Sequence, residues 1–555
     1  MNDPFASGKA RGWRVFDASN FERDARYEAD VAIVGTGAGG GTAAEILSRA
    51  GLRVVLIEEG PLRSSSDFAL LERVAYPNLY QESAARKTKD KGINILQGRC
   101  VGGSTTVNWT TSFRTPSSTL AFWRERFGLS DYRDDLLAPW FAHMERRLHI
   151  APWSLPPNAN NDALLRGAQQ LGIPAGVIAR NVESCRNLGY CGFGCPVNAK
   201  QSMLVTTIPA ALDRGAVLLS RTRAERFVTR GDRVVELQCA AMDARGIAPS
   251  GRTVGVRARH YVTAAGAIGS PALLLRSALP DPFHRVGKRT FLHPTLISAA
   301  IMPDPVMGFS GAPQSVYSDH FLSVDPIDGP VGFKLEVPPL HPVLSSTTFT
   351  GLGEMHARLM SQFSHAHAML ALLRDGFHEE SPGGTVSLKS DGTPLLDYAL
   401  TPYLWEGARR ALLAMAELQF AAGAHTVLPL HEDAAPYATL DEARAAISHL
   451  PMEVLRTRVA SAHVMGGCTM GSDPTQSVVD GFGRHHALEN LSVFDGSIFP
   501  TSLGANPQLS IYGITARNVT RLATSLGGKV ENDDLISLAM IGPETPPVIG
   551  EGARL

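Results

Sequence analysis

Asp30-Val31-Ala32-Ile33-Val34-Gly35-Thr36-Gly37-Ala38-Gly39-Gly40 decides how the rest of this chain is read. Residues 31–34 are an unbroken, β-branched apolar run with the length of a buried strand, and the run stops at a glycine-rich turn. A helix-like segment follows over residues 42–50. A second strand, residues 53–57, ends at Glu58, roughly twenty residues after the first glycine, so the whole reads as a βαβ unit. The glycines at 35, 37 and 40 answer a steric need. One makes the tight turn, one lets backbone approach a pyrophosphate, and one lets the helix press on the strand. Phosphates would sit on the helix N-terminal amides at the positive end of its dipole. Glu58 would accept hydrogen bonds from ribose hydroxyls. A carboxylate there repels a 2′-phosphate, so a dinucleotide whose adenosine lacks that phosphate is expected.

Around this unit the chain is ordinary for a globular protein, with 555 residues, 44% of them hydrophobic and 19% charged. Its 52 basic and 53 acidic side chains leave a net charge of −1, which gives no electrostatic case for nucleic acid or an anionic membrane. Apolar runs such as 296–302 and 368–373 fall far short of the roughly 18 residues a membrane span needs. Residues 1–14 are polar with no apolar signal core, and six cysteines do not make a disulfide framework, so a reducing, cytoplasmic location is expected. The final Ala553-Arg554-Leu555 only loosely resembles a peroxisomal address and is read as coincidence.

Further along, Gly98-Arg99-Cys100-Val101-Gly102-Gly103-Ser104-Thr105-Thr106-Val107-Asn108 has the glycine pair and hydroxyls that suit backbone passing beside a flat or phosphorylated ligand. Residues 123–150 carry helical spacing, and the Pro- and Asn-rich residues 151–161 read as a loop or boundary. A helix is expected over 202–214 and strands over 217–220, 234–239 and 254–262. The last runs into Ala264-Ala265-Gly266-Ala267-Ile268-Gly269-Ser270-Pro271, whose small residues again allow close approach to a cofactor. Residues 295–451, with several prolines, scattered histidines and a strand over 331–337, read as a separate substrate-facing domain. The tail from Glu531 is expected to be loose.

Two late stretches look chemical: Ser461-Ala462-His463-Val464-Met465-Gly466-Gly467-Cys468, and Phe494-Asp495-Gly496-Ser497 continuing to Gly504-Ala505-Asn506-Pro507. Asn506 followed by Pro507 reads as an N-cap and a first helical position. Leu509, Tyr512, Ala516, Val519 and Ala523 then recur at helical steps until Gly527-Gly528 closes the helix.

Together the nucleotide unit, the segment at 98–104, the segment at 264–271 and the region from His463 to Asn506 resemble the glucose-methanol-choline (GMC) oxidoreductases, in the order that family uses. The resemblance implies an α/β and α+β fold: a discontinuous, Rossmann-like FAD-binding domain (26–115, 200–295 and 460–530) with an inserted substrate domain on an antiparallel sheet (116–199 and 296–459). It implies FAD as cofactor. Gly35, Gly37, Gly40 and Glu58 would hold the ADP half, while Gly98, Arg99, Gly102, Gly103, Ser104 and Asn108 would lie along the flavin. Ala265 and Gly266 would pass near the cofactor, Asp495 and Gly496 would reach its ribityl or pyrophosphate region, and Pro507 would border it. His463 and Asn506 would face the flavin as the catalytic pair. No histidine occurs over residues 94–108, so FAD without a covalent link is expected. A neutral imidazole at His463 would take the proton of an alcohol as its α-hydrogen leaves as hydride. Asn506 would bond the substrate oxygen without titrating.

The expected reaction is therefore oxidation of an alcohol, leaning to the apolar alcohols of long-chain alcohol and sterol oxidases. The acceptor is left open between oxygen, a quinone and a cytochrome, and a lyase on the same scaffold is the alternative class. Cys185, Cys191 and Cys195-Pro196 are dense enough to ask for a reason. Some sugar dehydrogenases of the family carry a similar run, which raises an iron–sulfur cluster, but four thiolates are the commoner set and a structural role or a disulfide is favoured. Glu336 and Glu354 are noted as further acid/base groups of the inserted domain. His356, His365, His367 and His378 are expected on helix surfaces or in the core.

Overall fold

The strand Ala25–Val34 carries the opening apolar run, and Val31 to Val34 are all buried because neighbours cover them on every side. It pairs in parallel with Val54–Ile57, Val31 opposite Val54, and with Pro249–Thr263, Val34 opposite Thr263. A central strand of a parallel sheet covered on both faces reads as continuous apolar sequence, which is why no alternation appears there. This computed structural model describes residues 3–530. The tail from Glu531 and the Ala553-Arg554-Leu555 triplet lie outside the described residues.

The first sheet runs Arg14–Asp17, Val217–Ser220, Val54–Ile57, Ala25–Val34, Pro249–Thr263, Arg233–Met242, Thr222–Arg230, with Leu491–Val493 added beside Pro249–Thr263. Its first five strands are parallel and the last two antiparallel. The expected strands at 217–220, 234–239 and 254–262 all lie in it. The expected helix at 42–50 is Ala38–Arg49, and it starts earlier because Gly39, Gly40 and Gly41 form its first turn. The helix expected at 202–214 is confined to Thr207–Asp213. The long helix Gln508–Ser525 packs on Ala38–Arg49 and closes this layer.

A second sheet is almost wholly antiparallel: Ile93–Ile95, Val459–Ser461, Thr295–Ile301, Ala366–Leu373, Phe333–Glu336, Val316–Ser318 and Gly176–Val177, with Thr426–Pro429 against Thr295–Ile301. The helix Pro402–Ala421 covers one face through Leu404, Ala408, Ala411, Leu412 and Met415. The expected α/β and α+β architecture, a Rossmann-like sheet joined to an antiparallel one, is the fold observed.

Residues 153–158 form the loop expected within 151–161, between the strand Ile150–Pro152 and the helix Ala159–Gln170, whose N-cap Asn158 accepts the Asn161 N–H. The asparagines that suggested a loop include a helix start signal. The helices Ser117–Phe127 and Asp134–Arg147, inside the segment expected to serve the substrate side, place Trp123, Leu137 and Phe141 in the core of the nucleotide side.

One contact joins the ends of this layer. A Cβ on Gly39 would lie 1.5 Å from the Phe494 carbonyl oxygen, so the first turn of the helix rests on the end of the late strand Leu491–Val493. Both partners are backbone and neither yields without a shift of the helix. Gly39→Ala is expected to destabilise by about 1–3 kcal/mol, read as a lower thermal midpoint; an unchanged midpoint would contradict this packing.

Candidate active site

The strand Ala25–Val34 ends at Gly35, whose φ of +96° is open to glycine and costly to other residues. A Cβ there would lie 2.3 Å from the Ala264 carbonyl, and one on Gly40 would lie 2.0 Å from the Gly35 carbonyl. The two small-residue segments at 35–40 and 264–266 are thus in backbone contact. A Cβ on Gly103 would come 2.8 Å from the Gly37 Cα, which brings the third glycine segment onto the same turn. The helix Ala38–Arg49 has Gly37 as N-cap and no side-chain cap, leaving its first N–H groups for an anion.

Glu58 ends the next strand, buried at 7% exposure on the wall of the same cavity. Its carboxylate accepts the Thr36 N–H at 3.2 Å, the Thr36 hydroxyl at 2.5 Å and the Gly60 N–H at 2.9 Å. With about four acceptor sites on a carboxylate, one remains for a ribose hydroxyl. Arg99 holds Glu59 at 3.1 Å and the Gly246 carbonyl at 2.5 Å, tying the second strand to a neighbouring turn. The cradle, the uncapped helix and the acid fit the ADP half of a dinucleotide.

The cavity is about 1350 Å³ and continues from this cradle past Gly98, Gly103, Ser104 and Asn108 to His463, Asn506 and Pro507. The Ser104 hydroxyl accepts the Gly98 N–H at 3.0 Å, holding the two ends of that segment together. Gly102 lies behind this wall, its N–H donating to the Thr36 hydroxyl at 3.0 Å. Asn108 lines the cavity while its amide donates to Gln508 at 2.7 Å. Ala265, Gly266, Asp495 and Gly496 line it too. The Asp495 carboxylate is engaged with protein, accepting the Gly266 N–H at 2.9 Å and the Ser497 N–H at 2.8 Å, so it holds the start of the helix Gly266–Arg276.

At the far end a polar cluster is shut inside apolar walls. His463 is half-buried, open to the cavity it lines. Burial and the Lys334 ammonium push its imidazole down to about 4, so the ring is neutral at neutral pH. The Asn506 Nδ2 donates to Glu336 Oε2 at 3.1 Å and stands 3.4 Å from His463 Nε2, while its Oδ1 has no partner. Glu336 is fully buried, accepts from Gln314 Nε2 at 2.6 Å, and leaves Oε1 without a partner. Burial drives its carboxyl up to about 7, against the opposing pull of Lys334 and of the Asn506 bond. The Lys334 ammonium sits 3.4 Å from the Phe113 ring centroid and 4.1 Å from that of Tyr317, and burial lowers it to about 8.

Strand geometry explains the pairing of these charges. In Phe333–Glu336 alternate side chains share a face, so Phe333 and Leu335 enter the core while Lys334 and Glu336 turn the other way. Glu336 lies opposite Leu370 and Lys334 opposite Leu372, and both leucines line the cavity. His293 completes the cluster. Its Nδ1 is 3.2 Å from His463 Nδ1, and its Nε2 accepts the Gly504 N–H at 3.0 Å.

The structure brings His463 and Asn506 within 3.4 Å of each other, with Glu336, Lys334, Gln314 and His293 around them. Of the two noted glutamates only Glu336 belongs here; Glu354 is exposed and paired with Arg358. A pair of charges two apart in an otherwise apolar strand was the available signal for Lys334 and Glu336. Asn506 is not a capping residue as read from Asn-Pro: the helix starts at Gln508, Pro507 is its cap position, and no side chain caps it. The buried carboxylate of Glu336 holds the Asn506 amide instead. His367 is a core residue bonded to Asn160 at 2.8 Å.

All six cysteines are free thiols, so the disulfide reading does not hold. Among the described residues no group of three or more His, Cys, Asp or Glu is placed to hold a metal ion. Instead the buried Lys200 ammonium bonds the carbonyls of Thr106, Asn108 and Cys191 at 2.8, 2.7 and 2.6 Å, pinning the cysteine segment to the cavity wall. Nor is any helix among the described residues long and apolar enough to cross a membrane.

Comparison with known proteins agrees with this geometry. The N-terminal and C-terminal profiles of the GMC oxidoreductases match residues 76–295 and 380–515. A GMC-type oxidoreductase of Sinorhizobium fredii is 30% identical over 499 residues, covering 89% of this chain and 94% of its own. A long-chain-alcohol oxidase of Arabidopsis thaliana is 28% identical over 536 residues, covering 91% of this chain and 69% of its own. In fold the chain is similar to pyridoxine 4-oxidase from Mesorbium loti, with a TM-score of 0.65 at 20% identity, over 89% of this chain and 98% of the other. The cradle fits a dinucleotide such as FAD, and the chain belongs to the GMC oxidoreductase family as an FAD-dependent oxidoreductase.

Proposed function

We propose that the enzyme oxidises an apolar primary or secondary alcohol to the aldehyde or ketone. The observation that carries this reading is a neutral imidazole and a buried carboxylate on either side of one amide, Asn506, at the meeting of the FAD cavity and an apolar wall. That wall is built from Ile297, Phe349, Leu370, Leu372, Leu430 and Val459. It would bury an alkyl or fused-ring substrate and leave only the carbinol at the polar end. The similarity to a long-chain-alcohol oxidase supports the same substrate class.

FAD, when bound, supplies the hydride acceptor at N5. The chain's residues do the rest. His463 and Asn506 orient the carbinol oxygen, and the cluster offers two acceptors for the hydroxyl proton, the His463 ring and the Glu336 carboxylate. The uncapped start of the helix Gln508–Ser525 borders the cavity and favours negative charge developing there. Electrons then pass to oxygen, a quinone or a cytochrome. Six free thiols suit a reducing compartment, and we place the enzyme in the cytoplasm.

The test is anaerobic mixing of the purified yellow protein with a panel of apolar alcohols. Loss of flavin absorbance is expected, and His463→Ala is expected to slow it by roughly 10² or more while FAD stays bound. Bleaching at the wild-type rate in that variant would contradict the role of His463. Substrate cleavage with the flavin left oxidised would turn the reading to a lyase. The pH dependence carries a sign: Glu336, raised to about 7, is neutral below that pH and a carboxylate above it. The rate of flavin reduction is therefore expected to rise through about pH 7, and the rise to vanish in Glu336→Gln. A rise that survives this substitution would remove Glu336 from the chemistry.

A further inference from the structure

We infer that Lys200 and Arg180 are positioning residues for the cofactor: two buried cations behind the cavity wall at residues 104–109 draw its carbonyls back and keep positive charge there, so that the reduced, negatively charged form of FAD is favoured over the oxidised one. This inference rests on the reading that lays this wall along the flavin.

Both side chains are shut away from solvent, Lys200 at 3% exposure and Arg180 at 1%. The Lys200 ammonium donates to the carbonyls of Thr106, Asn108 and Cys191 at 2.8, 2.7 and 2.6 Å. A neutral amine has only two N–H bonds to give, so three acceptors call for the charged form. Burial lowers this ammonium to about 8, which leaves it protonated at pH 7. The Arg180 guanidinium donates to the Thr110 hydroxyl at 2.7 Å and to the carbonyls of Pro313 and Trp109 at 2.7 and 3.2 Å. Its outer face lies 5.0 Å from the Trp153 ring centroid. Among the described residues neither cation forms an ion pair with a carboxylate. The ionisable groups that act on Lys200 are Arg180 itself and the thiols of Cys100, Cys191 and Cys195.

A buried charge is costly unless an opposite charge or a set of dipoles answers it. Here backbone dipoles answer, and they belong to the cavity wall. The carbonyls of Thr106, Asn108 and Trp109 turn to the two cations, while Val107, Asn108 and Trp109 line the cavity. A trans peptide points its N–H opposite to its C=O, so the N–H groups of Val107 and Trp109 point away from Lys200. Each of these peptide dipoles has its positive end on the side remote from the ammonium, and the ammonium polarises it further. The wall therefore carries positive potential toward whatever lies against it.

The consequence concerns the charge that the reaction adds. Hydride brings both electrons of the substrate C–H bond to the isoalloxazine, which is neutral when oxidised and gains one negative charge, while the hydroxyl proton stays with the protein. Fixed positive charge behind the wall stabilises the reduced ring and leaves the neutral ring almost unaffected, so it raises the driving force for reduction. A carboxylate beside either cation would cancel this. The effect acts through the wall and without contact with substrate, so it holds for whichever alcohol the apolar side admits.

Two measurements on the holoenzyme at pH 7, both made without alcohol, read this charge: the flavin reduction potential by dye equilibration, and the affinity for sulfite, which adds to N5 and leaves negative charge on the ring. Lys200→Met and Arg180→Gln are each expected to weaken sulfite binding about tenfold or more with FAD retained. The same factor in the reduction equilibrium lowers the potential by about 30 mV for a two-electron couple. Lys200→Arg keeps the charge and is expected to recover both values. FAD-loaded Lys200→Met and Arg180→Gln with wild-type potential and sulfite affinity overturn the inference and leave the two side chains as ties. The wild type alone gives a third reading: its potential is expected above that of free FAD in the same buffer, and a value at or below it overturns the inference. If no alcohol bleaches the flavin, the proposed substrate fails and these values still decide. A flavin found away from residues 104–109 overturns its placement and this inference together, whereas an unchanged potential with the flavin against that wall overturns this inference alone.

Discussion

Backbone touching backbone at Gly35, Gly39 and Gly40 is the constraint on which the rest of this structure depends. The turn after the first long strand meets Ala264, and the helix that follows meets Phe494, segments more than two hundred residues apart. Side chains at these positions would hold the segments apart by more than any neighbour could yield. With them bare, the strands Ala25–Val34, Pro249–Thr263 and Leu491–Val493 close side by side. The late segment that carries His463 and Asn506 is thereby delivered to the end of a cavity whose other end was built near residue 35.

The second constraint is electrostatic. Glu336, Lys334, His293 and His463 lie where water is scarce, and burying ionisable groups is unfavourable unless they pair, bond or give up charge. This cluster does all three. Lys334 faces two aromatic rings beside Glu336, Asn506 and Gln314 bond the carboxylate, and both imidazoles remain neutral. What is left over is Glu336 Oε1 and Asn506 Oδ1, both buried without a partner, and of these two residues Asn506 lines the cavity. Buried polar atoms are seldom left unpaired without a purpose.

Much of this was legible in the chain itself. The glycine turn, its strands and Glu58 are local features, each spoken for by a few adjacent residues, and the late His463 and Asn506 stood in recognisable surroundings. What escaped reading was placement, which depended on register: Glu336 was noted as an acid/base group, but nothing local put it beside Asn506. Glu336 and Lys334 reach the site only because Phe333–Glu336 pairs with Ala366–Leu373 so that both charges share a face with Leu370 and Leu372. His293 is held in the cluster because Gly504, far away in sequence, approaches one of its ring nitrogens. Local signals also misled where a distant partner outbid them: Asn506 reads as a helix cap until Glu336 takes its amide. Three close cysteines suggest a cluster or a bridge from spacing alone; the contact seen at this segment is Lys200 bonding the carbonyls of Thr106, Asn108 and Cys191.

The central claim is that glycine-bared backbone holds FAD with its reactive ring between the Gly103–Ser104 wall and the His463–Asn506 pair. A crystal structure of the FAD-loaded enzyme measures this most directly. The account predicts the isoalloxazine lying in that gap, with His463 and Asn506 on the side open to the apolar wall of Leu370 and Leu372. An isoalloxazine bound elsewhere, or one from which His463 is separated by other side chains, would contradict it.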